Sequence, residues 1–461
     1  MTRTLNEILT PRCEEADINV SDQFFPEIPE TLEESGLNQS FIEDLICKML
    51  LSLGSLTGRE LSQRLGLPLQ IFGDLLYGLK QRLLLAYQST SGVNDFHYIL
   101  TETGKEKALL AREYSNYLGT APVPFTEYLT SIERQSIRNE RPGLEQLKSA
   151  FDGLVLSDDF LDLLGPAVNS GRGMFLYGEP GNGKTEIATR IARCFTDSVY
   201  IPRTIIVEGQ LIQLYDPQCH NRVEPVSENG QKKSDQRWLQ IERPAVVVGG
   251  EMDLDSLEIG YNAQTKICEA SLQLKGNSGV FAIDDFGRQR VGPEKMLNRW
   301  ILPLEKRVDY LTLPSGNKIM VPFNALLVFC SNLDPGLILD EAFLRRIPYK
   351  IRMQDPTAEE FISIFQDVAR QFEIPYDQDS VDYLIEKHFR SVRPMRGCHP
   401  RDILQQLANI ALYENRPPRM TKADLDRSIG LYFLLTGGEV KPEGMRMTGR
   451  VPVQVMPGTG S

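Results

Sequence analysis

Apolar positions along the chain change their period several times, and each change predicts an element. Phe41, Ile42, Leu45, Ile46, Met49 and Leu50 share one helical face. Thr57 and Glu60 have the spacing of a capping box that starts a second helix, and Pro68 opens a third through Ile71, Leu75, Leu76 and Leu79. Leu84 to Gln88 and Phe96 to Leu100 read as two strands around Ser-Gly-Val-Asn. Further on, Met174 to Tyr177, Gly279 to Ile283 and Ala325 to Cys330 are short apolar runs that each end in polar residues, as buried strands do. From Asp355 the period is helical again, predicting Ala358 to Phe372, Ser380 to His388, Pro400 to Tyr413 and Ala423 to Leu435 as four helices.

These patterns divide the 461 residues into a mobile acidic arm (1–38), a helix-rich module (39–116), a linker with A-P-V-P and R-P turns (117–142), an α/β domain (143–352), a helical domain (353–436) and a disordered Gly-, Pro- and Met-rich tail (437–461). The module at 39–116, with its strand-to-helix exit YILTETGKEKAL, resembles a winged helix, which implies a third helix able to enter DNA. Charge argues the other way. Between Phe41 and Tyr114 eight basic side chains meet eight acidic ones, so no phosphate-tracking stripe forms, and docking to protein is the favoured expectation. The arm carries nine carboxylates against Arg3 and Arg12, and the whole chain has a net charge of −12, unlike a protein that coats nucleic acid. A polar insertion, Asp216 to Trp238, has no assigned role.

The seven cysteines are scattered and never spaced C-x-x-C, so they read as reduced, and Cys219-His220 with Cys398-His399 is a poor zinc set because adjacent ligands are unusual. No apolar run approaches the ~20 residues of a membrane helix, and Met1 to Val20 is polar, so a cytoplasmic location is expected.

The chemistry lies in GEPGNGKT, Gly178 to Thr185, between a predicted strand and the helix-like EIATRIARCF. In this P-loop pattern Gly178, Glu179, Pro180, Gly181, Asn182 and Gly183 turn backbone N–H groups inward around phosphates, Lys184 neutralises the β/γ oxygens of ATP, and Thr185 offers its hydroxyl to Mg²⁺. The strand at Gly279 to Ile283 delivers Asp284-Asp285, the Walker B arrangement: Asp284 for the metal shell, Asp285 to orient or deprotonate the attacking water. The third strand leads to Ser331-Asn332, whose amide can position that water.

Over roughly Leu144 to Leu435 the sequence resembles the AAA+ ATPases, most closely their MoxR-like branch. The resemblance rests on GEPGNGKT, on Asn332 in VFCSNLDP at the sensor 1 position, on DEAFLRRIPYKI, and on GCHPRD. It also rests on a hairpin-like stretch from Met296 to Phe329 and on MDLDSLEIG, similar to the insert that interrupts helix 2 in that branch. It implies an α/β P-loop NTPase fold, a parallel sheet flanked by helices, with a C-terminal all-α lid. It also implies a ring, usually hexameric, with ATP between subunits, Arg346 as arginine finger (Arg345 as fallback) and Arg401 as sensor 2. A protein client is implied with it, and a von Willebrand A-type partner is common in the branch. The family's usual Walker B pair is Asp-Glu, so Asp285 sets this chain apart and points to slow hydrolysis. A DNA-acting regulator or helicase-like ring, and a slowly hydrolysing binding switch, are the alternatives.

Overall fold

The structure, a computed structural model, describes residues 24–433 except 93–94, 196–197, 225–232 and 391. Part of the Ser-Gly-Val-Asn turn, the first 23 residues of the arm, the end of the last expected helix and the tail lie outside the described residues. The chain divides into two compact units: residues 1–151, 161–177 and 185–351 form one, and 152–160, 178–184 and 352–461 the other.

The first unit begins with α1 (Gln39–Leu53), β1 (Ser55–Thr57), α2 (Gly58–Leu65), α3 (Leu69–Gln81), β2 (Leu85–Gly92), β3 (Asp95–Leu100) and α4 (Glu102–Tyr114). The strands make an antiparallel sheet in the order β1-β3-β2. Thr57 caps α2 in the expected capping box with Glu60, and Asn38 and Thr101 cap α1 and α4. Ile42, Leu45, Ile46, Phe72, Leu76 and Leu79 meet in one core. Glu43 is buried among them, yet Arg82 at 2.6 Å, Gln39 at 2.7 Å and Lys107 at 3.1 Å bond its carboxylate. Burial pushes the Glu43 pKa up, but these hydrogen bonds outweigh it and hold the group below the usual glutamate value.

The chain continues through β4 (Val123–Pro124), α5 (Phe125–Arg134), α6 (Leu144–Ala150), α7 (Asp158–Ser170), β5 (Met174–Gly178) and α8 (Lys184–Arg190). Five strands follow: β6 (Val199–Pro202), β7 (Thr204–Val207), β8 (Gln210–Gln213), β9 (Trp238–Ile241) and β10 (Ala245–Val248). Next come β11 (Gly260–Asn262), β12 (Ile267–Glu269), α9 (Leu272–Lys275), β13 (Val280–Ile283) and α10 (Pro293–Lys306). The α/β part closes with β14 (Val308–Thr312), β15 (Lys318–Pro322), β16 (Leu326–Ser331), α11 (Pro335–Ile338), α12 (Glu341–Arg346) and β17 (Tyr349–Met353).

The central sheet has the order β10-β13-β16-β5-β17, and the pairings β10–β13, β13–β16 and β16–β5 are parallel. Its strands are continuous apolar runs because both faces are covered; every residue of β13 and β16 is buried. Phe175 stacks on Phe329 at 4.9 Å, and Trp300 of α10 meets Phe329 edge-on at 5.9 Å. A second sheet runs β11-β12-β8-β7-β4, and β14 with β15 makes a hairpin.

Three segments differ from expectation. Residues 117–142 are not a free linker: β4 pairs parallel with β7, and Tyr128 and Ile132 of α5 and Ile137 beyond it are buried. Pro124, which read as a turn, ends β4 and stands directly before α5, where a missing N–H costs little. The described part of the acidic arm also packs, with Phe24 on Trp238 at 5.1 Å and Phe25 on Tyr200 at 5.9 Å. The insertion at 216–238 is pinned at both ends. His220 Nδ1 accepts from the Asp216 N–H at 3.0 Å, its Nε2 lies 2.8 Å from the Lys275 carbonyl, and Lys275 pairs with Asp216 at 2.7 Å. Both His220 nitrogens are therefore engaged with backbone.

The second unit contains α13 (Ala358–Gln371), α14 (Gln378–Leu384), α15 (His399–Tyr413) and α16 (Lys422–Tyr432), close to the four expected helices. Phe361, Phe365, Leu384, Phe389, Leu404 and Leu407 form its core, and Thr357 with Glu360 caps α13. No helix among the described residues is long and apolar enough to cross a membrane.

Arg237, 2% exposed, donates to the Asp235 carboxylate at 2.8 Å and the Ser35 carbonyl at 2.9 Å, tying arm to insertion. Arg237→Ala leaves the buried Asp235 unpaired and is expected to cost about 3–5 kcal/mol. Denaturant unfolding followed by tryptophan fluorescence checks this, Trp238 being the next residue.

Candidate active site

Parallel strands present their carboxyl ends together, and in the first unit β13 and β16 are paired neighbours. Asp284 and Asp285 leave the end of β13, and Asn332 leaves the end of β16. The Asn332 side-chain amide donates to Asp285 Oδ1 at 2.8 Å, and the Thr185 hydroxyl donates to Asp284 Oδ2 at 2.8 Å. The structure therefore brings Thr185, Asp284, Asp285 and Asn332 into two hydrogen-bonded pairs. Asp285 is exposed and sits at φ +49°, a left-handed conformation that aspartate tolerates better than most side chains.

A residue that sequence reasoning missed stabilises this turn. Gln289 is 9% exposed, its amide donates to the carbonyls of Asp284 at 3.0 Å and Asp285 at 3.2 Å, and its oxygen accepts from the Gly287 N–H at 2.8 Å. A glutamine six residues past a strand gives no periodic signal. Only its burial reveals it.

Two hard oxygens, the Thr185 hydroxyl and the Asp284 carboxylate, suit Mg²⁺, which takes few protein ligands and completes its octahedron with phosphate and water oxygens. Arg346, the last residue of α12, donates to Glu305 Oε1 at 2.6 Å and to the Ala342 carbonyl at 3.2 Å, so within its own chain it closes a helix end. Arg345 beside it is exposed.

The second unit holds the loop from Gly178 to Lys184. Gly178, Gly181 and Gly183 have φ of +143°, +90° and +81°. A Cβ on Gly178 would lie 2.4 Å from the Met353 carbonyl oxygen, and one on Gly181 would lie 2.5 Å from Cys398 Sγ, so both positions require glycine. Lys184 is 7% exposed and donates to the carbonyls of Gly178 at 3.0 Å and Glu179 at 2.9 Å. Asn182 donates to Asp355 Oδ1 at 2.7 Å and accepts from the Gly397 N–H at 3.0 Å.

Arg396 is the second residue missed. Its guanidinium donates to the Pro180 carbonyl at 3.3 Å and pairs with Glu179 at 2.9 Å. Arg401, the residue singled out from sequence, is instead 68% exposed and lies 3.3 Å from its neighbour Asp402. The backbone N–H of Arg396 donates to His399 Nδ1 at 3.2 Å, which requires a neutral imidazole. Burial first, then the nearby Arg396 charge, pulls the His399 pKa down to about 4.

The fold these elements build is that of an α/β P-loop NTPase with a helical C-terminal region. A family model described as a domain of unknown function (DUF8689) matches residues 357–430, the helical region. No curated protein matches the chain. Among solved structures, the chain is similar to the RuvB Holliday junction branch migration motor of Thermotoga maritima, at 14% identity over 64% of this chain and 72% of that one, with a TM-score of 0.34. It is also similar to NtrX from Brucella abortus, at 10% identity over 61% of this chain and 57% of that one, with a TM-score of 0.38.

Because the folded-state pKa of His399 lies below its unfolded value, the unfolded chain takes up the extra proton. The resulting stability is present above pH ~6.5 and is lost as pH falls toward 4. Thermal midpoints between pH 7 and pH 4.5 should fall more steeply for the wild type than for His399→Asn.

Proposed function

We propose that this protein is an AAA+ ATPase of the MoxR-like kind, which hydrolyses ATP between subunits of a ring to remodel or assemble a protein partner. The observation that carries the reading is the paired arrangement Thr185–Asp284 and Asp285–Asn332 at the ends of adjacent parallel strands. Gly178 to Gly183 would wrap the phosphates and Lys184 would neutralise them, with Thr185 following Lys184 directly in the chain. Thr185 and Asp284 would hold Mg²⁺, which when bound offsets charge on the phosphate oxygens. Asp285 would accept the proton of the attacking water, and Asn332 would fix the carboxylate that does so.

Arg346 would reach the ATP of the adjacent subunit in a ring, a hexamer by resemblance, exchanging its bond to Glu305 for the γ-phosphate. Arg401 would serve as sensor 2, with Arg396 as a second cation on the P-loop side of the helical region, taken as the lid.

The N-terminal module reads as a winged helix from its α1-β1-α2-α3-β2-β3 order. The exposed positions of α3 are Gln70, Asp74, Tyr77 and Gln81, with no cation among them. That supports a protein partner over DNA, because phosphate neutralisation needs Lys or Arg on the reading face. A von Willebrand A-type protein is one such partner by resemblance. The second reading, a binding switch with slow turnover, is favoured by the short Asp285 carboxylate already bonded to Asn332.

Asparagine tolerates the left-handed backbone at 285, so Asp285→Asn tests the chemistry without unfolding the turn. Expected is unchanged ATP binding with turnover lowered by about 10²–10⁴. Wild-type turnover in this variant removes Asp285 from the mechanism, and faster turnover in Asp285→Glu favours the switch.

A further inference from the structure

Three arginines converge on Gly171, just before the P-loop strand β5. Arg307 donates to the Gly171 carbonyl, the Arg138 Cγ lies 3.2 Å from where a Cβ on Gly171 would stand, and Arg172 is the next residue. Gly171 has φ +58°, so the bend that gathers them needs glycine. Among the described residues none of the three makes an ion pair, although the chain has 62 carboxylates against 50 cations. Burial, then repulsion from Arg138 and Arg172, lowers the Arg307 pKa to about 10. Arg138 and Arg172 are exposed and Arg307 is half-buried. Guanidinium groups are weakly hydrated and bind carboxylates in paired hydrogen bonds, so such a cluster favours an anionic occupant.

The described chain begins close by. Phe25 packs on Tyr200, and the backbone of Tyr200 is held on both sides by Gln135, whose Oε1 accepts its N–H at 2.6 Å and whose Nε2 donates to its carbonyl at 2.9 Å. Arg138 is three residues beyond Gln135, within about 11 Å of chain. The segment leading into Phe24 carries Glu14, Glu15, Asp17 and Asp22 with no cation after Arg12. Glu14 is eleven residues before Phe25, a reach of up to about 36 Å, so all four carboxylates can return to the cluster.

We propose that Arg138, Arg172 and Arg307 form an anion-binding patch occupied by the acidic segment Glu14 to Asp22 of the same chain. The contact would fold the arm back beside the start of the P-loop strand and hide its carboxylates from partners.

The test is cleavage of the full chain after Glu14 and Glu15 by a glutamate-specific protease, read by intact mass. The wild type is compared with R138E/R172E and, as a milder pair, R138Q/R172Q; both positions are exposed, and each variant is first matched to wild type in thermal midpoint. At about 0.05 M salt the variants should be cut roughly threefold or more faster, and at about 0.5 M the difference should vanish. Equal rates at low salt overturn the proposal. Protection that fades on dilution overturns the same-chain assignment in favour of a second copy.

Discussion

The parallel pairing of β13 with β16 is the constraint on which the rest of the candidate site depends. Both strands are buried along their whole length, so their register is set by the core rather than by the polar residues at their ends. A slip of one residue would exchange the side chains packed on the two covered faces and separate Asp285 from Asn332. Trp300 of α10 packs on Phe281 of β13 and Phe329 of β16 and holds both strands from the side. Chemistry at the strand ends thus inherits the rigidity of an apolar interior, as positioning a water demands.

Elsewhere the chain repeatedly buries a charge and then satisfies it. Glu43, Arg237 and Lys275 are all buried, and each has at least one ionic partner within 3.1 Å. Such pairs contribute little net stability, since desolvation offsets the attraction, but breaking one is costly. Arg237 and Lys275 join segments distant in sequence, and both involve residues of the polar insertion. His399 follows the same economy in neutral form, accepting the Arg396 N–H instead of carrying a charge.

Much of this was legible beforehand because it is local or periodic. The capping box at Thr57, the helices of the C-terminal region and the apolar strands before Asp284 and Asn332 all follow from spacing within a few residues. What escaped was non-local. Pro122 and Pro124 read as linker punctuation, and only the pairing of β4 with β7 makes Pro124 part of a sheet. Gln289 and Arg396 carry no motif, and their partners become visible only when the chain is folded. Phe24 and Phe25 were hidden by the acidic composition around them, although two adjacent aromatics in a charged arm are a signal of packing.

Completion of the active site by a neighbouring subunit is tested most directly by ATP turnover per subunit as a function of protein concentration, with assembly followed by light scattering. Wild-type specific activity is expected to rise as rings form, while Arg346→Ala assembles and binds ATP but does not turn it over. Activity that is independent of concentration, or an Arg346→Ala variant as active as the wild type, would contradict it.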